Sequence, residues 1–364
     1  MPHPPKVDDV DYIQFLIAAQ KVYTCTEAAS CQPGIKPPQA PSQATAAHDA
    51  FTRLLARRPP DTEALWHEVQ AFVNQHGGLL LLDDTTLDKP YARKIELVTR
   101  HWSGKHRAVV SGINLLTLLW TDGVGVLPCD CRVYDKPLPE GKTKNEHFRN
   151  LLKTAKARGL APAMVCFDSW YSGLDNLKLV RDFRRACASL MGWHFFTRLK
   201  HNRQVNPDGT GNVAIATLDI PVEGLLVHLK GFGIVRVFRT VSPHREADGA
   251  ATTERAQFWA TSCLDWATSC LEMSAAQRDE RERQVFAIEN YHRGLKQCCG
   301  VERAQVRGAR AQKRHITLAV RAFVRLEVNR LRTGHSWYAA KTAIVREAVR
   351  TYLAQPTIQL TSTA

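Results

Sequence analysis

Acidic residues follow two apolar runs that are typical of buried strands. The run LLLL ends at Leu82 and is followed by Asp83 and Asp84, and the run AMVCF ends at Phe167 and is followed by Asp168. Neighbouring strands lie only about 4.8 Å apart, so carboxylates that emerge at matching levels of a sheet can share an ion. Carboxylates that close raise one another's pKa unless cations neutralise them, and hard oxygen ligands suit Mg²⁺. The sequence therefore predicts a divalent-metal site at this sheet edge.

Only one of the two adjacent acids is expected to face Asp168. Side chains alternate along a strand, so Asp83 and Asp84 point to opposite faces of the sheet. We expect Asp84, which is followed by Thr85 and Thr86, to join Asp168, while Asp83 faces a helix layer or caps a loop. The alternative for each acid is a turn or cap residue at the end of a strand.

A third acid lies on a predicted helix with the sequence AIENYHRGLKQ. Apolar residues at three- and four-residue spacing predict one buried stripe on this helix. The opposite stripe carries Glu289 together with His292, Arg293 and Lys296, and the Glu and Lys are two turns apart. One interpretation is a surface ladder of ion pairs. The functional interpretation is a metal-binding carboxylate beside a row of phosphate-binding cations.

The elements between these acids predict an α/β sheet. Three apolar runs precede the helical stretch NEHFRNLLKTAKARG, the run AMVCF follows it, and the helical SGLDNLKLVRDFRRACASLMG leads into WHFFTRL. The order of three strands, helix, strand, helix and strand favours a sheet with helices packed on it. Residues 202–274 differ, because short alternating runs separated by Gly, Pro and Asp indicate a small β-rich module. Helical periodicity resumes at Ala275.

The first part of the chain, from Asp11 to about His76, reads as helices that end at Gly77 and Gly78. The prolines of CQPGIKPPQAPSQ forbid a continuous helix there. Residues 24–58 are compatible with a helix-turn-helix whose second helix lies in a groove of DNA and carries His48, Arg53 and Arg57. A plain helical bundle is the alternative.

Composition indicates a folded chain with a polyanionic partner. The 364 residues, 44% of them hydrophobic, suffice for two or three domains. The net charge is +14, and residues 281–350 hold 16 Lys and Arg against 5 Asp and Glu, which favours nucleic acid or an acidic membrane as partner. A solvated basic face is the alternative for this run.

Other sequence features exclude several classes. No stretch approaches the roughly 20 apolar residues of a membrane span, and the start MPHPPKVDDVDY lacks the regions of a signal peptide, so a cytosolic protein is expected. The ten cysteines form no Cys-x-x-Cys pairs at zinc-ribbon spacing and are interpreted as reduced, small apolar residues.

Three motifs together resemble bacterial insertion-sequence transposases of the DDE class: LLLLDDTTLDKP, VCFDSWYSGLDNLK with WHFFTRLKHNR, and IENYHRGLKQCCGVERAQVR. More narrowly, the chain is similar to the group whose last acid lies in a Tyr-Arg-Glu-Lys signature. The resemblance covers roughly residues 79–325. It implies an RNase H-like catalytic core with a β-rich insertion, a catalytic triad of Asp84, Asp168 and Glu289, and Lys296 as the signature lysine.

The chain departs from that signature at two positions. The signature Tyr and Arg are replaced by Glu282 and Val285, and Arg281 or Arg283 is a candidate for supplying the missing charge. Some relatives stack a flipped base on a tryptophan of the insertion. Trp259 is the candidate here, and a buried strand tryptophan is the alternative.

The resemblance also implies cofactors, partners and location. We expect two Mg²⁺ ions, replaceable by Mn²⁺, that assist attack of water or a 3′-hydroxyl on phosphodiesters. The expected partner is double-stranded DNA, both transposon ends and target, bound by a homodimer in the bacterial cytoplasm at the nucleoid. The predicted DNA contacts are His292, Arg293, Lys296, Arg198, Lys200, Arg203, Arg307, Arg310, Lys313 and Arg314.

Five segments and two alternative functions complete the interpretation. The segments are a helical DNA-end-binding domain (1–78), the first part of the RNase H-like core (79–201), the β-rich insertion (202–274), the second part of the core (275–335) and a C-terminal helix and tail (336–364). The alternatives are a transposase-derived DNA-binding protein that does not cleave, and a structure-selective nuclease.

Overall fold

The computed structural model describes residues 6–33, 48–104, 106–135, 141–186, 192–245, 252–262 and 274–358. The chain divides into two compact units, and each is assembled from separate parts of the sequence. The helical unit comprises residues 1–68, 86–113 and 291–364, and the sheet unit comprises residues 69–85 and 114–290.

The elements have the following bounds in chain order. The strands are β1 (Leu79–Asp88), β2 (Thr99–Ser103), β3 (Ala108–Thr121), β4 (Val126–Tyr134), β5 (Met164–Phe167), β6 (His194–Leu199), β7 (Gln204–Asn206), β8 (Val213–Ala214), β9 (Leu225–Leu229), β10 (Gly233–Arg245) and β11 (Thr252–Thr261). The α-helices are α1 (Asp9–Ala18), α2 (Cys25–Ser30), α3 (His48–Arg57), α4 (Thr62–Val69), α5 (Lys144–Ala157), α6 (Leu174–Arg185), α7 (Ala275–Val285), α8 (Ala287–Cys298), α9 (Ala309–Thr333) and α10 (Trp337–Ala354).

The sheet unit is built on a mixed sheet. Its strands lie in the order β4, β3, β1, β5, β6, β11, β10, β9, β7, β8. The central strands β1, β5 and β6 are parallel, whereas β3 and β4 pair antiparallel on one side and β11 pairs antiparallel with β6 on the other. Helix α5 packs against β4, and α6 packs against β6 and α5. The predicted mixed α/β sheet flanked by helices is confirmed, but four strands rather than three precede α5, because β2 lies between β1 and β3 in the chain.

The residues predicted to form a separate β-rich insertion extend this same sheet. Within residues 202–274, the described strands β7 to β11 are antiparallel neighbours of one another. They join the core because Phe258 of β11 pairs with Leu199 of β6 and Thr261 pairs with Phe196. The backbone hydrogen bonds of β6 are thereby satisfied on both sides, so β6 is not an exposed sheet edge.

Burial explains why the short runs form strands. The four leucines of β1 from Leu79 to Leu82 and all four residues of β5 are at most 6% exposed. Such continuous apolar runs suit strands that are covered on both faces. Helix α5 begins with a capping box between Thr143 and Glu146, which satisfies the first backbone N–H groups of the helix.

The helical unit joins the two ends of the chain. Helix α1 packs against α9 and α10, and α3 packs against α2 and α9. Helix α3 buries Phe51 and Leu55 and exposes His48, Arg53 and Arg57, while much of the proline-rich stretch before it lies outside the described residues. The short strand β2, which the sequence analysis missed, pairs with the start of β3. In the described part of the chain, every helix is too short or too polar to cross a membrane.

Candidate active site

The pairing of β1 with β5 sets the positions of the first acids. The strands run parallel, and Leu82 partners Phe167 in the last pair. Asp83 and Asp168 are the next residues along the two strands, so they follow at the same level of the sheet. The structure thus brings the acids after these two apolar runs to the level at which the pairing of β1 with β5 ends. The prediction that Asp83 and Asp84 follow the end of a strand is wrong, because β1 continues to Asp88.

Asp84 is held firmly by three donors. Its Oδ2 accepts hydrogen bonds from Lys144 Nζ at 2.7 Å and from Asn114 Nδ2 at 2.6 Å, and its Oδ1 accepts one from the Tyr171 hydroxyl. Desolvation alone would raise the pKa of Asp84. The Lys144 ammonium and the three hydrogen bonds outweigh desolvation and hold the pKa below its usual range. Asp84 is therefore ionised and fixed in orientation.

Asp83 has the opposite electrostatic environment. Desolvation raises its pKa well above the usual value, and the negative charges of Asp168, Asp84 and Glu289 raise it further. The Asp84 backbone N–H, which donates to Asp83 Oδ1 at 2.8 Å, opposes this rise without reversing it. Negative charge around these acids therefore exceeds what the neighbouring cations balance, and Asp83 holds a proton more readily than an isolated aspartate.

Asp168 is open to solvent but partly desolvated. Its Oδ1 accepts the Trp170 backbone N–H at 2.9 Å, and its carbonyl accepts the Tyr171 N–H at 3.2 Å. Desolvation raises the pKa of Asp168, the bond from Trp170 opposes this, and the charge of Asp84 adds to the rise. The nearby Arg198 guanidinium favours the ionised form.

Glu289 lies in the first turn of α8 and is exposed. Its charge adds to the rise in the pKa of Asp83, after desolvation and the charges of Asp168 and Asp84. Across the residues that the structure describes, however, no three His, Cys, Asp or Glu side chains are arranged closely enough to hold a metal ion. The described residues therefore present no completed set of metal ligands, and the triad of Asp84, Asp168 and Glu289 stays a prediction.

The residues at the signature positions before Glu289 are also fixed by neighbours. Desolvation raises the pKa of Glu282, and the charges of Arg198 and Arg278 oppose the rise. Of the two candidate replacements for the signature Arg, Arg283 pairs with Glu280 at 2.5 Å, whereas Arg281 donates to Gln284 at 2.6 Å. Burial raises the pKa of Cys166 in β5 to about 12, and the charge of Arg281 opposes this rise.

The predicted DNA contacts on α8 differ in exposure. Arg293 is exposed, whereas His292 is 5% exposed and is therefore not presented to DNA in this structure. Lys296 is half-buried, donates to the Thr86 carbonyl at 2.7 Å and pairs with Glu302 at 3.1 Å. The predicted phosphate contact by Lys296 would have to compete with these partners.

The cations after α8 also divide into two groups. Arg307 and Arg310 are exposed, and Lys313 is half-buried. Arg314 is 2% exposed, pairs with Asp9 at 2.5 Å and donates to the Pro59 carbonyl at 2.7 Å. The prediction that Arg314 contacts DNA is corrected, because its guanidinium is buried and bound within the protein.

Trp259 does not offer a ring to a base. It is 1% exposed, its ring stacks on Phe196 with centroids 4.6 Å apart, and its Nε1 donates to Thr240 at 3.2 Å. The Arg198 guanidinium lies 4.7 Å from its centroid. The alternative of a buried strand tryptophan is therefore correct.

Sequence reasoning missed the residues that surround the acids. Asn114, Lys144 and Tyr171 bind Asp84, and Trp170, in the loop after Asp168, is 59% exposed. The motif DSWYSG offered a signal, because two aromatic residues directly after a strand-end acid are unusual for a solvated turn. Three predicted cations, Arg198, Lys200 and Arg203, follow within the same unit, and Lys200 lies 5.7 Å from the Trp170 ring.

Comparisons with solved structures give low sequence identity. The chain is similar to a piggyBac transposase synaptic complex with hairpin DNA at 9% identity and a TM-score of 0.48, over 99% of this chain and 76% of that one. It is also similar to the Mos1 strand transfer complex at 13% identity and a TM-score of 0.18, over 51% of this chain and 58% of that one. No curated protein matches the sequence.

A family model gives a more definite result. Residues 14–215, more than half of the chain, match the family described as DDE superfamily endonuclease. The match contains Asp83 and Asp84 of β1 and Asp168 after β5, and it ends before Glu289. With Asp83 and Asp168 at one level of a mixed sheet, the chain belongs to the DDE superfamily endonucleases.

Proposed function

We propose that the protein is a DNA transposase that cleaves and joins phosphodiesters with Asp84, Asp168 and Glu289. The observation that carries the proposal is the placement of Asp83 and Asp168 at one level of the sheet, directly after the last pair of β1 with β5, with Asp84 beside them. Membership of the endonuclease family supports cleavage as the chemistry. Transposition, rather than cleavage alone, rests on the sequence motifs, which resemble those of bacterial insertion-sequence transposases with the Tyr-Arg-Glu-Lys signature.

The acids fit a divalent cation in charge and in donor chemistry. They provide hard oxygen ligands, and the pKa of Asp83 is raised by desolvation and further by neighbouring negative charges, whose repulsion a cation would relieve. Because the described acidic side chains do not converge on one point, binding requires rotation of carboxylates such as the exposed Glu289. When bound, two Mg²⁺ or Mn²⁺ ions would activate a water or 3′-hydroxyl nucleophile and stabilise the leaving oxygen.

The chain's own groups prepare the site in distinct ways. Lys144, Asn114 and Tyr171 fix both oxygens of Asp84 before DNA arrives, which lowers the cost of orienting this carboxylate. Asp168 stays open to solvent and tied to the following loop. Asp83 can hold a proton in the metal-free protein and release it when positive charge arrives.

Exposed cations would position the DNA. Arg198, Lys200 and Arg293 are exposed, and Arg203 is half-buried. We assign phosphate contacts to these residues and to Arg307, Arg310 and Lys313, since phosphate contacts position a duplex without reading its sequence. We assign the reading of transposon ends to α3 and its neighbours, and we expect a homodimer on DNA, because two ends must be handled together.

The decisive experiment incubates the protein with labelled DNA that carries the inverted repeats flanking its coding region, with target plasmid and Mg²⁺. Nicking at the repeat ends followed by strand-transfer products is the expected result. Binding without nicking would overturn the proposal in favour of a DNA-binding protein that does not cleave, for which Glu282 and Val285 at the signature positions provide the only support. Cleavage of branched DNA without strand transfer would overturn it in favour of a structure-selective nuclease.

A further inference from the structure

The sheet unit contains a concave cleft lined by the residues that follow Asp168, and two of its cations, Lys200 and Arg203, are those assigned above to phosphate contacts. The cleft has a volume of about 630 Å³ and is lined by the loop after β5, the start of α6, the turn after β6 and the turn between β9 and β10. Its volume lies within the range of sites that enclose small ligands, roughly 300–1,000 Å³. A cleft of this volume can hold one or two unpaired nucleotides but not a duplex.

Three cations line this cleft: Lys200, Arg203 and Lys230. Among the described residues, no Asp or Glu carboxylate pairs with any of the three, although ion pairs are common elsewhere in the protein. The Arg203 guanidinium is half-buried, and desolvation lowers its pKa. A partly desolvated cation without an internal counter-charge is stabilised by an anion from outside.

Trp170 gives the cleft an aromatic wall. The side chain is 59% exposed, and the Lys200 ammonium lies 5.7 Å from the ring centroid. Its backbone N–H is bound to Asp168 Oδ1, so the ring is tethered to one of the acids. An exposed indole beside unpaired ammonium groups has the two features that hold single-stranded nucleic acid, a face for a base and cations for the backbone.

The backbone keeps the cleft open at its far side. Gly231 has a φ of 77° and lies so close to Leu174 that an added Cβ would meet the leucine side chain at 2.9 Å. A side chain at this position would therefore be strained and would crowd the start of α6. Helix α6 begins after Gly173, which provides no side-chain cap, so the partial positive charge of the helix start also faces an incoming anion.

We propose that this cleft binds one or two unpaired nucleotides of a DNA strand next to the cleaved phosphodiester, with a base stacked on Trp170 and phosphates held by Lys200, Arg203 and Lys230. The assignment to DNA rests on the proposed function. The preference for a single strand rests on the cleft itself, because a base within a duplex has no free face for the indole. The cleft would keep the strand that leads to the acids separate from its complement.

Binding of a labelled oligothymidylate in EDTA, followed by fluorescence anisotropy over a series of salt concentrations, tests this assignment without any need for cleavage. Trp170→Ala should weaken binding by roughly 10-fold or more, and Trp170→Phe should retain most of it. Lys200→Gln with Lys230→Gln should reduce the slope of log affinity against log salt by about 1.4, since each phosphate contact on a single strand contributes about 0.7.

Matched controls come from β2, where Trp102 is 67% exposed and Arg100 is exposed. Trp102→Ala and Arg100→Gln should leave single-strand binding within about twofold of wild type. An equal loss for Trp102→Ala and Trp170→Ala, no loss for Trp170→Ala in a variant with native circular dichroism, or an equal loss on duplex DNA would each overturn the proposal. If single-strand binding depends on Trp170 while repeat-end DNA is never nicked, the cleft assignment stands and the proposed function fails.

Discussion

Two clusters of charged residues in this protein differ in how their charges are balanced. In the helical unit, Arg314 and Arg321 of α9 pair with Asp9, and Arg321 also pairs with Glu68. In the sheet unit, the acids around Asp83 repel one another, and the cations of the neighbouring cleft have no acidic partner in the described chain. We call the group of Arg314, Arg321, Asp9 and Glu68 the balanced cluster, because its charges are neutralised within the fold. We call the acids around Asp83 and the cations of the cleft the unbalanced cluster, because their charges are left for a ligand.

The balanced cluster explains why the basic count of residues 281–350 misleads. The sequence places 16 Lys and Arg there against 5 Asp and Glu, but Asp9 and Glu68, from the other end of the chain, neutralise part of this charge. The Arg321 pKa is raised because hydrogen bonds and charges from Glu68 and Asp9 outweigh desolvation. A dense run of Lys and Arg therefore indicates a DNA-binding surface only where these residues have no acidic partners within the fold.

The largest expected effect is on cleavage by the unbalanced acids. Asp168→Asn and Glu289→Gln should each lower the rate of DNA cleavage by roughly 10³-fold or more, the scale for removal of one member of a catalytic unit. The free energy of unfolding should not fall, because each change removes negative charge that its neighbours repel. Single-turnover cleavage of end-labelled DNA and chemical denaturation measure the two quantities.

Asp175→Asn is the control for those variants, because Asp175 is an exposed acid in the first turn of α6 in the same unit. Its cleavage rate should stay within about threefold of wild type. A loss of stability in Asp168→Asn that accounts for the lost cleavage would show that the acids are balanced structural groups, and the contrast between the clusters would disappear.

The balanced cluster should instead control stability. Arg321→Gln leaves Asp9 and Glu68 with fewer partners, and we expect the free energy of unfolding to fall by roughly 3 kcal/mol. Arg350→Gln, which breaks an exposed pair with Glu347, should change it by less than about 0.5 kcal/mol. Equal denaturation midpoints for the two variants would mean that the buried network does not hold the helical unit together.

Whether each cluster could be predicted from sequence depends on how far apart in the chain its interacting residues lie. The common level of Asp83 and Asp168 was predictable because the apolar runs before them pair as parallel strands, whereas the continuation of β1 to Asp88 was not. The pairing of Arg314 with Asp9 was not, because 305 positions separate them and the helix spacing of α9 says nothing about α1. Burial of a side chain also depends on residues that are distant in the chain. The sequence therefore could not show that Trp259 is buried and Trp170 exposed.

Substitutions at Asp83 and Asp84 test which of these two neighbouring acids binds the metal. Asp84→Asn should abolish detectable cleavage, and Asp83→Asn should be much milder. In EDTA at pH 7, Asp83→Asn should raise the free energy of unfolding, because the wild-type carboxyl has a raised pKa and is costly to ionise in the fold. Mg²⁺ should stabilise wild type more than this variant.

Differential scanning fluorimetry with and without Mg²⁺, beside the cleavage assay, separates the outcomes for the two neighbours. If Asp83→Asn abolishes cleavage and the stabilisation by Mg²⁺ while Asp84→Asn retains both, Asp83 is the metal ligand, and Asp84 with its Lys144 partner is a balanced structural ion pair.

The smallest expected effect concerns His315, a buried neutral group in the helical unit. Its Nδ1 lies 3.0 Å from the Tyr12 hydroxyl, and burial lowers its pKa from 6.5 to about 3. As pH falls below 6.5 the unfolded chain takes up a proton that the folded chain refuses, so the free energy of unfolding should fall by at most about 1.4 kcal/mol per pH unit. His315→Gln should flatten this dependence between pH 6.5 and 4.5, since carboxyl groups with a raised pKa, such as that of Asp83, titrate in both proteins alike. If the free energy of unfolding changes with pH in the same way for wild type and variant, the folded protein accepts a proton on His315. That result would contradict a buried neutral histidine in the helical unit.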